Sequence, residues 1–356
     1  MASRTLATAA LVAVGVFGYF SILGLAAQNG LLATLDALAA SDAEAGVAPA
    51  RLTGLAPCDA FLQTLLRFFT PCVTGELPAL SLFSAFAAVQ VLPLHSVVVL
   101  EGLRAANAGT VFAFSAVWGT IYQTIPFGVV LPLYFALYLW RSPLAFLSAS
   151  TTAASQAEKL SMDPVKVRAV TGALTLGYVV PTLLAALPAP SVVSLDTQQL
   201  FLAMWQFFPA QVAAWQLVLE AVVSRLALVN DSAGATPVAR LRYSRRVFPY
   251  ILGITAALHL AIVSAVAVPW LRSGAIPVDL QAAFVPMSVS APRPIAALAE
   301  GSLNLLQYDL YCASGAALLL VSYLSLVVGP GGAVLWALWD RDEAASVAAA
   351  NIKKKA

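Results

Sequence analysis

Residues 78–100 read PALSLFSAFAAVQVLPLHSVVVL, a run without a single Asp, Glu, Lys or Arg. A helix needs about 20 mainly apolar residues to cross roughly 30 Å of hydrocarbon, and this run supplies them. Glu101 follows at once, so an acid stands at the end of an otherwise uncharged span. Six further stretches have the same character: 6–27, 112–139, 168–187, 200–223, 248–268 and 312–338. Their only charges are Glu220, near the end of the fifth span, and Arg168, at the edge of the fourth. The expectation is an all-α chain, a polytopic membrane helix bundle of about seven transmembrane helices forming one domain over 1–356. Pro126, Pro132, Pro181 and Pro209 fall inside spans, where neighbouring helices must satisfy the carbonyls they free. The third span is long enough to be broken or tilted.

Composition agrees. Of 356 residues 60% are apolar and 10% charged, against about 25% charged in soluble domains. A net charge of +2 excludes nucleic-acid binding driven by charge. Three cysteines exclude a disulfide scaffold, and two histidines, His95 and His259, leave little for a metal site. Metal ligands and cofactors are therefore not expected.

With seven spans, fifteen basic residues fall on one side and four on the other. The basic side is expected to be cytosolic, with the N-terminus luminal and the tail 340–356 cytosolic. A cleaved first span would put most basic residues on the wrong side, so it reads as a retained helix. The closing Lys353-Lys354-Lys355-Ala356 fits either a plain basic anchor or a two-lysine signal for retrieval to the endoplasmic reticulum. The connection 28–77 is expected in the cytosol. Within it, residues 58–70 form an amphipathic helix whose Phe61, Leu62, Leu65, Leu66, Phe68 and Phe69 suit the bilayer interface. The Pro-rich connection 269–309 is expected in the lumen and is long enough to act as a lid.

Acids near a membrane need a partner or a purpose. Glu101 ends the second span and Asp309 opens the seventh, both on the luminal side of this topology. Glu101 pairs with Arg104 or serves a site; Asp309, in Gln307-Tyr308-Asp309, caps a helix or serves a site. Glu220 sits one turn from Gln216. His95 and His259 lie within spans, where a lone histidine more commonly bonds between helices. Trp118 and Tyr122, four apart, and Trp205 either belong to an aromatic belt or offer faces to a cation. Asp340 and Asp342 read as a solvated end. Several chemistries lack their motifs: DDxxD, DxDD, Walker A, GxSxG, HExxH and GxGxxG are all missing. A seven-helix receptor or transporter, or a scaffold for enzymes in the same membrane, shares the profile.

Three segments in order, Asp59-Ala-Phe-Leu through Phe68-Phe69-Thr-Pro71, Leu100-Glu101-Gly-Leu-Arg104 and Leu306-Gln307-Tyr308-Asp309, give the chain a resemblance. It resembles the fungal integral-membrane terpene cyclases of meroterpenoid and indole-diterpene pathways, in particular their larger, ascofuranone-cyclase-like type. The resemblance implies metal-free, acid-initiated cyclisation of an epoxidised prenyl chain on an aromatic or indole core. It implies no cofactor, a lipophilic prenylated substrate, membrane lipids and other pathway enzymes as partners, and residence in the endoplasmic reticulum. It casts Glu101 and Asp309 as a proton-donor pair. Arg104, Tyr308 and Gln307 would then position them, with His95, Glu220, Trp118, Tyr122 and Trp205 around the substrate.

Overall fold

The computed structural model describes residues 2–45, 52–147, 151–229, 234–318, 335 and 337–348. Among these the chain is helical, and its only bridge pairs Arg104 with Met162. Helix α1 (Arg4–Gln28) matches the first expected span and carries a π-turn at Phe20–Gly24. Helix α2 (Leu31–Glu44) follows, then α3 (Ala56–Thr74) and α4 (Pro78–Leu103). Helices α3 and α4 each begin with a proline in the first turn and end where the helical backbone turns out. For α3 that stop is Gly75 at φ 75°, a conformation glycine takes without strain.

The expected third span, 112–139, is two helices. Helix α5 (Ser115–Thr124) and α6 (Phe127–Arg141) are joined through Ile125 and Pro126. Both outer ends meet beside Glu101: Ser142 Oγ donates to Asn107 Oδ1 at 2.8 Å, and Asn107 Nδ2 donates to the Glu101 carbonyl at 2.7 Å. The inner end reaches Tyr122, against His95. The segment is a helical hairpin whose two outer ends lie at one end of the bundle. The cause is local, because Pro126 has no amide to continue α5 and favours an extended residue before it.

Beyond it lie α7 (Ala153–Leu160), α8 (Pro164–Ala185), α9 (Leu195–Trp205) and α10 (Phe208–Arg225). Helices α9 and α10 bend by 71° at Gln206–Phe207, so the expected span 200–223 is broken. Helices α11 (Pro237–Ser244) and α12 (Val247–Ser273) run on as one long segment, basic over α11 and apolar along α12. A short α13 (Leu280–Phe284) precedes α14 (Leu298–Leu318), and residues 337–348 are again helical. Among the described residues four helices are long and apolar enough to cross a membrane, and the bent pair would make a fifth. The expectation of about seven thus meets four or five candidates among the described residues. Most of 312–338, and Lys353 to Lys355, lie outside the described residues.

The two ends of the bundle also differ from expectation. The Arg4 guanidinium stands 4.1 Å over the Phe146 ring, beyond the outer end of α6, and Arg341 bonds Glu101. The N-terminal and C-terminal segments therefore share one end, although opposite sides were expected. At the other end Ile295 N–H donates to the Asn29 carbonyl at 3.0 Å, and Ser302 Oγ to that of Phe68 at 3.1 Å. The connections 28–77 and 269–309 thus lie together, against the reading that split them between cytosol and lumen. The amphipathic helix buries Leu62, Leu66 and Phe68 against the protein, leaving Phe61 outermost.

Close approach seats the hairpin. A Cβ on Gly119 would lie 2.2 Å from Pro209 Cβ, and one on Gly18 2.6 Å from the Gly128 carbonyl oxygen. Helix α10 and helix α1 thus touch the hairpin at glycines. Gly119→Val is expected to destabilise the detergent-purified protein by about 1–3 kcal/mol through overpacking. Gly253→Ala, whose added Cβ meets nothing within 4 Å, should leave the melting temperature level or raise it. Equal losses for both in a thermal-unfolding assay would refute this seating.

Candidate functional site

The structure separates the two acids that the sequence paired. Glu101 belongs to a buried ion cluster at the outer end of the hairpin. Arg104, with no exposed surface, donates from Nε to Glu101 Oε1 at 3.1 Å. Its Nη1 donates to Asp342 Oδ2 and to the Leu160 carbonyl, each at 2.7 Å. Arg341 Nη2 donates to the same Glu101 oxygen at 2.8 Å and to Asp342 Oδ1 at 3.3 Å. Tyr138 closes the cluster with a short bond from its hydroxyl to Glu101 Oε2. Two carboxylates thus face two guanidiniums, and Glu101 is a counter-ion. Asp342, expected at a solvated end, is fully buried here.

Asp309 sits at the opposite end of α6. Its Oδ1 accepts the Gly128 N–H at 2.7 Å, satisfying an amide in the first turn of a helix that begins inside the protein. Gly128 and Tyr138 mark the two acids along α6, ten residues of helix apart, or about 15 Å at the α-helical rise. That exceeds the roughly 6.5–9.5 Å over which an inverting glycosidase's acid pair cooperates. Among the described residues no cation pairs with Asp309. The difference from Glu101 lies in the neighbours, since α6 offers Asp309 amides where the C-terminal segment offers Glu101 guanidiniums.

A row of rings leads away from the Asp309 end of the hairpin. Phe127, next to Gly128, meets Tyr122 edge-on at 4.7 Å between centroids. Tyr122 makes a short bond to His95 Nδ1, and the His95 ring meets Phe208 at 5.0 Å. Phe208 in turn touches Tyr178 at 4.8 Å and Trp205 at 5.5 Å. The row follows the two helix breaks, which are joined where Gln123 Nε2 donates to the Gln206 carbonyl at 3.0 Å. Of the expected aromatic set, Tyr122 and Trp205 belong to this row. Trp118 instead meets Tyr134 at 5.0 Å and donates to the Val111 carbonyl. Phe208, beside Trp205 in the fifth expected span, shares that reading; Phe127 and Tyr178 were missed, and only ordinary core-like periodicity could have signalled them.

The remaining expected residues hold structure. Gln307 Nε2 donates to the carbonyls of Ala282 and Ala283, and Tyr308 Oη to that of Met287 at 2.8 Å. They tie the 274–297 connection down rather than orient Asp309. Glu220 accepts from Gln216 at 2.7 Å near the start of α8. Asp59, at the start of α3, accepts from the Thr53 hydroxyl and amide, each at 2.7 Å, and these bonds hold its carboxyl below the usual range. Among the described residues no three His, Cys, Asp or Glu converge as metal ligands would. His259, on α12, borders an apolar cavity whose lining includes neither acid.

Comparison with known proteins gives a family profile, the CtvD domain, that matches residues 7–346. The chain is 37% identical to the terpene cyclase ascI of Acremonium egyptiacum over 157 residues, 44% of this chain and 39% of that one. It is 32% identical to the terpene cyclase janA of Penicillium janthinellum over 219 residues, 60% and 58% of the two chains. With the terpene cyclase ctvD of Aspergillus terreus it shares 24% identity over 363 residues, 94% of this chain and 98% of that one. The chain therefore spans less than two thirds of the first two relatives and nearly all of the third. No solved structure matches it.

Removing one partner from a buried ion cluster strands the others. Glu101→Gln is expected to cost about 3–5 kcal/mol, read as a lost or lowered unfolding transition of the solubilised protein. Arg341→Ala, at a side chain 32% exposed, should cost clearly less. A Glu101→Gln variant as stable as the parent would remove the structural role assigned to this cluster.

Proposed function

Because the chain belongs to the CtvD-domain family, we propose that it is a membrane-bound terpene cyclase acting on an epoxidised prenyl chain attached to an aromatic or indole core. The observation that carries the mechanism is the contrast between its two acids. A general acid must hold a proton and reach the substrate. Glu101, matched by two guanidiniums, is a counter-ion, whereas Asp309 faces no cation among the described residues and stands beside a row of rings. Asp309 is the proposed proton donor.

In this reading the Asp309 proton passes to the epoxide oxygen as the bond to its more substituted carbon breaks. The electron pair of that bond stays on oxygen, which becomes a hydroxyl, and carbon is left as a tertiary cation. The chain's double bonds attack in turn and move the charge along. Phe127, Tyr122, Phe208 and Trp205 present ring faces and edges in an interior that keeps water from the cation. Loss of a proton from carbon, or capture by a group on the substrate, ends the sequence without change of mass. The Gly128 amide stays on Asp309 throughout and supports the carboxylate left behind.

Microsomes containing the protein, fed an epoxyfarnesyl phenol with EDTA present, should form a product of unchanged mass and shifted retention by mass spectrometry. Asp309→Asn should lower the rate by about 10²- to 10⁴-fold. Undiminished conversion in that variant would remove Asp309 from the chemistry.

The sidedness of the bundle follows from its basic residues. Of the fifteen described Lys and Arg, twelve gather at the Glu101 end, and Arg67, Arg272 and Arg293 at the other. We assign the Glu101 end, with the Arg4 and 337–348 segments, to the cytosol in the membrane of the endoplasmic reticulum. Cys58 is exposed at the opposite end. In sealed microsomes an impermeant maleimide should spare Cys58 until detergent is added, while a Gly234→Cys variant should label at once. The reverse pattern would invert the assignment.

A further inference from the structure

The two helix breaks meet at Gln123 and Gln206, and the polar groups of that junction do not all find partners. Gln123 Nε2 donates to the Gln206 main-chain carbonyl at 3.0 Å and lies 3.5 Å from its side-chain oxygen. This contact turns Gln206 Oε1 toward Gln123, so the amide nitrogen is the atom left over. Gln206 is 5% exposed, and its Nε2 has no hydrogen-bond partner among the described residues. Two neighbours in the aromatic row are satisfied: Tyr178 Oη donates to the Ala88 carbonyl at 2.6 Å, and Trp205 Nε1 to Thr182 Oγ1 at 2.9 Å.

His95 is the second case. It is 1% exposed, its Nδ1 is bonded to Tyr122 Oη, and its Nε2 has no partner among the described residues. The proton of that bond has two arrangements. If Nδ1–H donated to Tyr122, the phenol hydrogen and the Nε2 lone pair would both be stranded. If Tyr122 donates to Nδ1, the phenol hydrogen is used and one group remains, the Nε2 N–H. We assign the second, which leaves fewer buried groups unmet.

Phe208 joins the two residues: it follows Gln206 by two positions, and its ring meets that of His95 at 5.0 Å. A wall built mainly of rings thus carries two unused donors. Buried polar atoms are normally paired, and an orphan marks strain or an absent partner. The partner that two donors require is an acceptor, which in a lipophilic prenyl compound means oxygen. An indole presents only an N–H at its polar edge and would meet donors with a donor. The junction reaches the surface of the bundle at Ile125 and Phe207, both exposed. Interrupted helices at membrane depth are also where transporters seat the polar groups of their substrates.

We infer that the junction of the two breaks is a head-group subsite, in which Gln206 Nε2 and His95 Nε2 donate to oxygen on the substrate's aromatic head. The inference rests on the cyclase reading for a prenyl chain laid along the ring row, with its epoxide at Asp309 and its head at Gln206. It narrows that reading: the head is an oxygenated arene, a phenol or an aryl carbonyl, in preference to an indole. The rings hold the chain, and the two donors set how far it slides, so that the epoxide meets Asp309 in register.

The test compares farnesyl phenol, farnesylbenzene and 3-farnesylindole, which lack the epoxide and so bind without turnover. With the full chain in lipid nanodiscs, the phenol should displace a tritiated farnesyl phenol at about tenfold lower concentration than the other two, the scale of one net hydrogen bond. Gln206→Met and His95→Phe, which keep bulk and remove the donors, should bring the phenol's affinity toward that of farnesylbenzene. With the three epoxides as substrates, the same variants should lose the phenol's advantage in kcat/KM. A purely structural glutamine or histidine would lower the thermal transition and leave the ranking of ligands intact, which would overturn the proposal. Equal binding of all three by the parent protein would overturn it without any variant having to fold. Ranked binding with no epoxide converted would remove the cyclase and keep the subsite. Conversion of all three with one kcat/KM would remove the subsite and keep the cyclase.

Discussion

A helix that starts inside an apolar interior leaves its first amides without partners, and no water is present to supply them. Much of this protein follows from how that constraint is met at Phe127. Pro126 removes one donor from the problem, and the Asp309 carboxylate accepts another from Gly128. The solution fixes the depth of the hairpin and the rotation of α14. It also requires the glycine contacts through which α1 and α14 approach α6. An acid held in this way has its place set by the backbone, while its second oxygen is left to other uses.

The same constraint explains why the two helix breaks lie together. Irregular backbone is tolerated at depth only where protein covers it or a cavity adjoins it. Here the Gln123 side chain covers the open carbonyl of Gln206, and Pro209 fits the space above Gly119. Aromatic rings fill the remaining volume because they bring area without hydrogen-bonding demand. The proposed cation-facing wall is therefore also the packing that closes two interrupted helices.

Much of this was legible in the chain itself. The apolar runs around 6–27, 78–100, 168–187 and 248–268 announced helices found within a few residues of those bounds, because hydropathy over twenty residues leaves little choice of structure. The run 112–139 misled, since hydropathy measures length and composition but not direction, and a hairpin has the composition of a span. Pro126 hinted at a turn and Pro209 opens α10 just after its bend, but prolines at 132 and 181 give the same hint inside unbroken helices. That one reading also set the expected ends of the bundle, and the structure brings the Arg4 and Arg341 segments to the same end. Asp309 was visible as an acid among aromatics. The partners of Glu101 were not, because Arg341 and Asp342 lie 240 and 241 residues further along a tail that looks solvated on charge alone.

The separation between Glu101 and its partners bears on how the protein is made. When α4 and the hairpin leave the ribosome, Glu101 and Arg104 have only each other, and Tyr138 arrives some forty residues later. Arg341 and Asp342 follow some 240 residues after Glu101, so the cluster that locks the outer end of the hairpin closes only once the helices between them have been made. Until then the bundle is assembled but unlatched at one end. A chain that stops early carries an unmatched buried charge, the kind of defect that membrane quality control removes. The latch thus ties the integrity of the interior to the arrival of Arg341 and Asp342.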